Sequence, residues 1–199
     1  MKTKKKGIKA ILVGESGVGK TSLINITIGL SFNESIGTTF SNSYVEQNYV
    51  INDETYYMHL WDTIGQEKYR QLTKLFFKDS KIVIFVYDKS IKKSFEELPF
   101  WNGEIKNTIG DEIIKAVVGN KEDLDDNEND VNEDEARKYA ESINAKFRMT
   151  SAKLNPKGFQ NFLKELLIDY LDKYKMNASR NSVINLNKKN SKKKKGWIC

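Results

Sequence analysis

The sequence predicts an α/β fold, doubly wound around a six-stranded, mostly parallel sheet with one antiparallel edge strand and about five helices. Apolar runs alternate along the chain with stretches of helical periodicity, as in α/β domains. The run Ile82 to Tyr87, IVIFVY, has no polar alternation, which is typical of a central strand covered on both faces. The segment Asn52 to Thr55 is a hairpin-like turn between two strand patterns, so one edge strand should be antiparallel.

The elements follow in order from these patterns. The predicted strands are Ile8 to Val13, Tyr44 to Ile51, Tyr56 to Trp61, Ile82 to Tyr87, Ile113 to Val118 and Ala145 to Met149. The predicted helices are Thr21 to Ile28, roughly Glu67 to Phe77, Phe95 to Ile109, Glu133 to Ile143 and Gly158 to Tyr174. Asn132, with Glu135 three residues on, indicates a capping-box-like start for the fourth helix. An apolar stripe on the last helix predicts core packing by Phe159, Phe162, Leu163, Leu166, Leu167, Tyr170 and Leu171.

Length and charge indicate one domain with a tail. The 199 residues divide into a basic extension over 1–7, a domain over 8–174 that can bury a real core, and a tail over 175–199 that we expect to be disordered. Lys173 to Cys199 holds nine basic residues and no acid, which leaves 24 of the 33 Lys and Arg against 27 Asp and Glu elsewhere, or about −3. The positive charge lies on the tail and not on a folded face, so we expect no nucleic-acid partner.

The single cysteine, Cys199, excludes a disulfide framework and indicates a reducing compartment. Met1 to Gly7 lacks the apolar segment of a signal peptide, and no apolar run approaches the length of a membrane span. We therefore expect the chain on the cytosolic side.

Residues Gly14 to Thr21 read GESGVGKT, a phosphate-loop pattern between a predicted strand and a predicted helix. Glycines let successive backbone N–H groups approach a phosphate chain, and the helix points its positive end at the anion. Lys20 would reach the β- and γ-phosphates, and the Thr21 hydroxyl would bind Mg²⁺. The nucleotide contacts predicted in this loop are Gly14, Ser16, Gly17, Val18, Gly19, Lys20, Thr21 and Ser22.

A second loop follows the third predicted strand and should reach the same edge of the sheet. Asp62, at the end of that strand, can hold Mg²⁺ through water. Gly65 can present its N–H group to a γ-phosphate, and Gln66 can orient the attacking water. The segment WDTIGQE therefore predicts the hydrolytic part of the site.

Two further loops predict recognition of the base. After the fifth strand come Asn120, Lys121 and Asp123, and the carboxylate of Asp123 can accept two hydrogen bonds that guanine offers and adenine does not. After the sixth strand, a backbone N–H group can meet guanine O6 and a lysine can cover the ring. The residues concerned there are Ser151, Ala152 and Lys153.

With these motifs, residues 8 to about 174 resemble a small GTPase of the Ras superfamily, a P-loop NTPase with a G domain, and are most similar to its Rab branch. The Rab features are Ser16, the segment WDTIGQE and the Tyr69-Arg70-x-Leu72-Thr73 pattern. The Rho branch fits less well, because no inserted helix is found between the fifth and sixth strands. The resemblance implies a monomer that binds GTP or GDP with Mg²⁺ and hydrolyses GTP slowly without an activating protein. It further implies an exchange factor, effectors, and Gln66 with Lys20 as catalytic residues.

The first switch is where this chain departs from the family, which places there a threonine whose hydroxyl joins Mg²⁺. Thr39 stands 19 residues after Lys20 and 23 before Asp62, the usual spacings. Ser35 fits a local Rab-like pattern, but only with four residues deleted before it and four inserted after it. Spacing favours Thr39 as the Mg²⁺ ligand, and Ser35 stays open as the alternative. Ile64 replaces the usual alanine of the second switch, with a modest expected effect on rate.

The favoured function is a GTP-hydrolysing switch in vesicle traffic, in the cytosol and at the cytosolic face of an intracellular membrane. The alternatives are a Ras- or Rho-type signalling GTPase, a P-loop ATPase or kinase, and a nucleotide-binding scaffold with little hydrolysis. The base-reading loop with Asp123 argues against the ATPase. Gln66 and Lys20 argue against the scaffold.

The tail offers Lys192 to Lys195 and a cysteine at Cys199, without the four-residue lipidation ending and without the double cysteine of Rab tails. Our hypothesis is that Cys199 carries a geranylgeranyl group, or less favourably palmitate, and that the lysines add roughly 1 kcal/mol each near an anionic leaflet. The alternative is a solvated basic tail with an unmodified thiol.

Overall fold

A computed structural model describes residues 7–33, 43–63, 74–128 and 130–174. Its strands are β1 (Gly7–Val13), β2 (Ser43–Ile51), β3 (Glu54–Asp62), β4 (Ile82–Asp88), β5 (Ile114–Asn120) and β6 (Lys146–Met149). Its helices are α1 (Lys20–Thr27), α2 (Lys92–Glu96), α3 (Leu98–Ile109), α4 (Glu133–Ser142) and α5 over 156–174. None of the helices in these ranges is long and apolar enough to cross a membrane.

The strands form one sheet in the order β2-β3-β1-β4-β5-β6. β2 pairs antiparallel with β3, and every other neighbouring pair is parallel. The β2–β3 turn places Asn52 at φ 50° and Asp53 at φ 63°, both in the left-handed region that asparagine and aspartate tolerate in two-residue hairpins. The predicted sheet, with its single antiparallel edge strand, is therefore confirmed.

Two apolar layers cover the two faces of the sheet. On one face, Leu12 and Ile84 pack with the stripe of α5, and Phe159, Phe162, Leu163, Leu166 and Leu167 are at most 1% exposed. On the other face, Val83 and Phe85 pack with Trp101 of α3 and with α4. All seven residues of β4 are buried, because it lies mid-sheet with helices on both sides. The core role predicted for the last helix is confirmed.

The stretch predicted as one helix over Phe95 to Ile109 is divided in the structure. α2 ends at Glu96 and α3 begins at Leu98, with Pro99 in its first turn. Proline has no N–H group to donate to the carbonyl four residues earlier, and it disfavours helical geometry in the residue before it. The periodicity continues across this break because both segments face the same apolar layer.

Two other helix predictions meet the structure differently. The Asn132 side chain accepts hydrogen bonds from the N–H groups of Asp134, at 2.8 Å, and Glu135, at 3.3 Å, so the predicted cap of α4 is confirmed. The helix predicted over Glu67 to Phe77 lies largely outside the described residues. At their edge, Lys74 is helical and 75–79 form turns.

Parallel pairing brings the carboxyl ends of five strands to one edge of the sheet. The register pairs Leu12 with Asp62, and Asp88 with Asn120. Residues that follow β1, β3, β5 and β6 therefore lie close together, although they are far apart in sequence.

Candidate functional site

The loop after β1 is shaped by its glycines. Gly14, Gly17 and Gly19 have φ of 146°, 80° and 94°, which side-chain-bearing residues rarely adopt. A Cβ atom on Gly14 would overlap the carbonyl oxygen of Val86, and one on Gly19 would overlap the amide of Asn120. Gly19 also caps α1, and neither a capping side chain nor an acidic residue lies at that end of the helix. The first turn of α1 can therefore receive an anion.

Lys20 lies inside this loop and is 6% exposed. Its Nζ donates to the backbone oxygens of Gly14 and Glu15, both at 2.8 Å. Burial lowers the pKa of Lys20 to about 8, and the charges of Asp62 and Glu15 act in the opposite direction. The ammonium group is thus held at the centre of the loop, where a phosphate could replace its carbonyl partners.

Thr21 and Asp62 meet at the edge of the sheet. The Thr21 hydroxyl donates to Oδ2 of Asp62 at 2.6 Å, and Asp62 is 3% exposed. Thr63, the next residue, anchors the end of β3 through a 2.6 Å hydrogen bond from its hydroxyl to the Leu12 carbonyl. Hydroxyl and carboxylate oxygens are suitable ligands for Mg²⁺, which takes few protein ligands and completes its shell with water and phosphate oxygens. These donors fit a magnesium ion.

Asn120 links the loops of the site. Its Nδ2 donates to the Val18 carbonyl at 2.9 Å, and its Oδ1 accepts from the Ala152 N–H at 3.2 Å. The side chain is 1% exposed, so both bonds form away from water. One amide thus joins the phosphate loop to the loop after β6.

Asp123 and Ser151 bring the two base-reading loops together. The Ser151 hydroxyl donates to Oδ1 of Asp123 in a short hydrogen bond. The same hydroxyl oxygen accepts from the N–H groups of Lys153, at 3.1 Å, and Leu154, at 2.9 Å. The loop after β6 is therefore folded around Ser151 and faces the carboxylate predicted to read guanine.

Asp88 and Lys89, at the end of β4, are residues of the site that sequence analysis missed. Oδ2 of Asp88 lies 2.6 Å from Nζ of Lys121, which adopts φ 64°. Lys89 is buried against the loop after β5. A signal was present, since Asp88 ends a strand at the same edge as Asp62. No motif marked it.

The structure thus brings together the described residues of the phosphate loop, Asp62 and the two base loops. Within the phosphate loop, Val18 is buried at 1% exposure, Ser16 and Gly17 are exposed, and Ser22 is partly exposed. The remaining predicted site residues lie outside the described ranges, and their assignments stay predictions. They are Ser35, Thr39, Ile64, Gly65, Gln66 and Cys199.

An aromatic cluster borders the site. Tyr44 stacks on Trp61 with ring centroids 5.0 Å apart, and Phe76 lies 5.9 Å from Trp61. The Lys9 ammonium lies 4.6 Å from the Trp61 ring centroid. Tyr44 is 53% exposed although it belongs to a strand. The cluster joins residues next to both segments in which switch residues were predicted.

Comparisons with known proteins agree with this geometry. The model of the Ras family matches residues 9–171. The Ras-related protein Rab-21 of Geodia cydonium is 40% identical over 145 residues, which are 73% of this chain and 63% of that protein. The proteins of the same name from Mus musculus and Homo sapiens are each 38% identical over 158 residues, 79% of this chain. The aligned part is 70% of the mouse protein and 69% of the human protein.

Proposed function

We propose that this chain, which belongs to the Ras family as a small GTPase of the Rab type, is a GTP-hydrolysing switch in membrane traffic. The observation that carries the proposal is the convergence of the phosphate loop, Asp62 and the two base loops on one edge of the sheet. One amide, that of Asn120, is bonded to both the phosphate loop and the loop after β6. A nucleotide lying along this edge would have its phosphates at Lys20 and its base at Asp123.

The phosphate end would be held by the loop from Gly14 to Thr21. Lys20 would exchange its two carbonyl partners for β- and γ-phosphate oxygens, and the N–H groups at the start of α1 would face the same anion. Thr21, Asp62 and Thr39 would hold Mg²⁺, which neutralises charge on the β- and γ-phosphates when bound. Their oxygen donors support this assignment.

The base end would select guanine. The Asp123 carboxylate would accept hydrogen bonds from guanine N1–H and from the exocyclic amine, while a backbone N–H near Ala152 would donate to O6. Lys121 and Lys153 would cover the two faces of the ring. Asn120 would act by holding the three loops in register.

Hydrolysis would depend on the segment after β3. Gln66 would orient the attacking water and Gly65 would donate its N–H group to the γ-phosphate. The arginines in the described part of the chain, Arg137 and Arg148, pair with Glu133 and Glu165, so we expect turnover to be slow until an activating protein supplies an arginine for the transition-state charge. Ile64 would crowd this segment without replacing either residue.

Partners would read the state of the two switch segments. The cluster of Tyr44, Trp61 and Phe76 adjoins both in sequence, with Tyr44 exposed and the other two partly exposed, so effectors that bind the GTP form would find an aromatic surface there. An exchange factor and an activating protein complete the cycle. The protein would act as a monomer, held at the cytosolic face of an intracellular membrane by the tail and a lipid on Cys199.

The first test is base selectivity. The wild-type protein should bind GDP about 10³-fold or more tightly than ADP in Mg²⁺, measured by displacement of a fluorescent nucleotide. Asp123→Ala should abolish most of that preference, because the paired acceptor is removed. Asp125→Ala, an exposed neighbour on the same loop, is the matched control and should retain it. Equal affinity of the wild type for GDP and ADP would contradict the proposed function.

A further inference from the structure

A buried lysine in the turn after β4 holds the connection that follows β5. Lys89 is 8% exposed. Its Nζ donates to the Leu124 carbonyl at 2.8 Å and to Oδ1 of Asp126 at 2.6 Å, and Oδ2 of Asp130 lies 3.7 Å away. One ammonium group therefore reaches three residues of the segment directly after Asp123.

The backbone of the same residue fastens both ends of that connection. The Lys89 N–H donates to the Asn120 carbonyl at 3.0 Å, and the Lys89 carbonyl accepts from the Val131 N–H at 2.9 Å. The connection between β5 and α4 is thus bonded at its two ends, Asn120 and Val131, to the backbone of one residue. The preceding Asp88 pairs with Lys121 and accepts from the Ser90 N–H at 2.9 Å.

An apolar side chain could fill this position at the end of β4 without the cost of desolvating an ammonium group. A lysine adds directional hydrogen bonds, and these bonds fix the positions of residues 124 and 126. Asp126 is 95% exposed, and its Oδ1 accepts a hydrogen bond from this ammonium group at the surface. The hydrogen bond and the charge of Asp126 raise the pKa of Lys89 above its ordinary value.

Asp123 lies between two supports as a result. On one side the Ser151 hydroxyl donates to its carboxylate. On the other side the chain continues at once into Leu124, whose carbonyl is bonded to Lys89. Since a carboxylate must meet two donors of guanine at once, a small displacement of this residue would lose one of the two bonds.

We propose that Lys89 is a positioning residue for base specificity, which fixes the segment after Asp123 so that its carboxylate meets both guanine donors. This inference rests on the proposed function, because it assumes that the site takes a guanine nucleotide. The second of these donors is the exocyclic amine of guanine. Inosine lacks this amine, so a comparison of the two bases isolates the second hydrogen bond.

The test compares GDP with inosine diphosphate. In Lys89→Met, affinity for GDP should fall about tenfold, while affinity for inosine diphosphate should fall much less, because inosine offers Asp123 only one donor. The ratio of the two affinities should therefore collapse. A residue that merely stabilised the fold would weaken both nucleotides equally and leave the ratio unchanged.

Lys115→Met is the matched control. Lys115 is also a buried lysine, 6% exposed, and it also pairs with a largely exposed carboxylate, that of Asp111. It lies at the opposite end of β5, away from the site, so its replacement should leave the ratio as in the wild type. Thermal unfolding without added nucleotide compares the fold of the two variants.

Asp126→Asn provides the second variant, at an exposed position that the fold tolerates. It should lower the ratio about threefold in the wild-type background and change nothing further in Lys89→Met. A wild-type ratio in folded Lys89→Met would overturn the inference, and if that variant does not fold, a wild-type ratio in Asp126→Asn overturns it. A wild type that binds ADP as tightly as GDP would instead overturn the proposed function.

Discussion

At the scale of single residues, Asn120 has two partners on two different loops. Its N–H₂ group donates to the carbonyl of Val18, and its oxygen accepts from the Ala152 N–H. An aspartate could accept the second bond but could not donate the first, and an alanine would leave a buried carbonyl and a buried N–H group without a partner. The geometry of an amide is therefore what this position requires.

A second residue, Tyr139, has a buried hydroxyl with no hydrogen-bond partner among the described residues. Burial raises the pKa of Tyr139 to about 12. The ring packs edge-on against Phe95, with centroids 5.7 Å apart. Replacing tyrosine by phenylalanine keeps that contact and removes the unsatisfied group.

We predict that Tyr139→Phe raises the free energy of unfolding by about 1 kcal/mol at pH 7. Because the folded pKa lies above the unfolded value, the tyrosine favours folding less as pH rises through 10 toward 12. By pH 11 the difference in the free energy of unfolding between the variant and the wild type should therefore widen by about a further 1.4 kcal/mol. Urea denaturation at the two pH values measures it. A variant less stable than the wild type at pH 7 would show that the hydroxyl has a partner, and a gap that narrows at pH 11 would show that the pKa of Tyr139 is not raised.

At the scale of elements, the start of α4 depends on one side chain. Asn132 accepts from two N–H groups of the first turn, and Glu133, Asp134 and Glu135 place negative charge at the positive end of the helix. We predict that Asn132→Ala lowers the free energy of unfolding by about 1 kcal/mol, whereas Asn132→Asp, which keeps the acceptor, lowers it much less. Urea denaturation of both variants checks this. Equal losses would assign the effect to something other than the cap.

The elements also show where sequence patterns stop being informative. Strand positions were predicted to within two residues, because buried parallel strands need unbroken apolar runs. The break between α2 and α3 was missed, although Pro99 signals it, because the apolar periodicity runs through Glu97. Lys89 was missed for a different reason. Its contacts are with Leu124, Asp126 and Asp130, which are distant in sequence, and no local pattern encodes that proximity.

At the scale of the whole molecule, the site was predictable because its parts are loops with fixed spacing after strands. The phosphate loop and the base loops were located from sequence, and their convergence follows from parallel pairing. The links between them were not predictable. The bond from Asn120 to Val18 joins residues 102 positions apart, and that of Thr21 to Asp62 joins residues 41 apart.

The division of charge between body and tail leads to a prediction about membranes. We expect Cys199 to carry a lipid in the protein's own cells, visible as added mass on the C-terminal peptide. Cys199→Ser should then release the protein from membranes. Replacing Lys192 to Lys195 by alanine should weaken attachment in a salt-dependent way, because each lysine adds roughly 1 kcal/mol near an anionic leaflet.

Replacement of the same four lysines by arginine is the control for charge, and it should leave attachment intact. An unmodified Cys199 in protein from its own cells would refute the lipid anchor. Membranes that retain Cys199→Ser as fully as the wild type would refute it as well. If the alanine replacement does not weaken attachment, the lysines do not contribute to membrane binding and the tail serves only to carry the lipid.

Because β4 is completely buried at the middle of the sheet, hydrogen exchange of its amides can be used to measure nucleotide binding. Amide hydrogens of a strand covered on both faces exchange with solvent deuterium only when the whole domain opens. Their protection factors therefore measure the global free energy of unfolding. A nucleotide that binds only the folded state adds RT ln(1 + [L]/Kd) to that free energy. The exchange rate of the buried amides of β4 is thus a direct gauge of nucleotide occupancy.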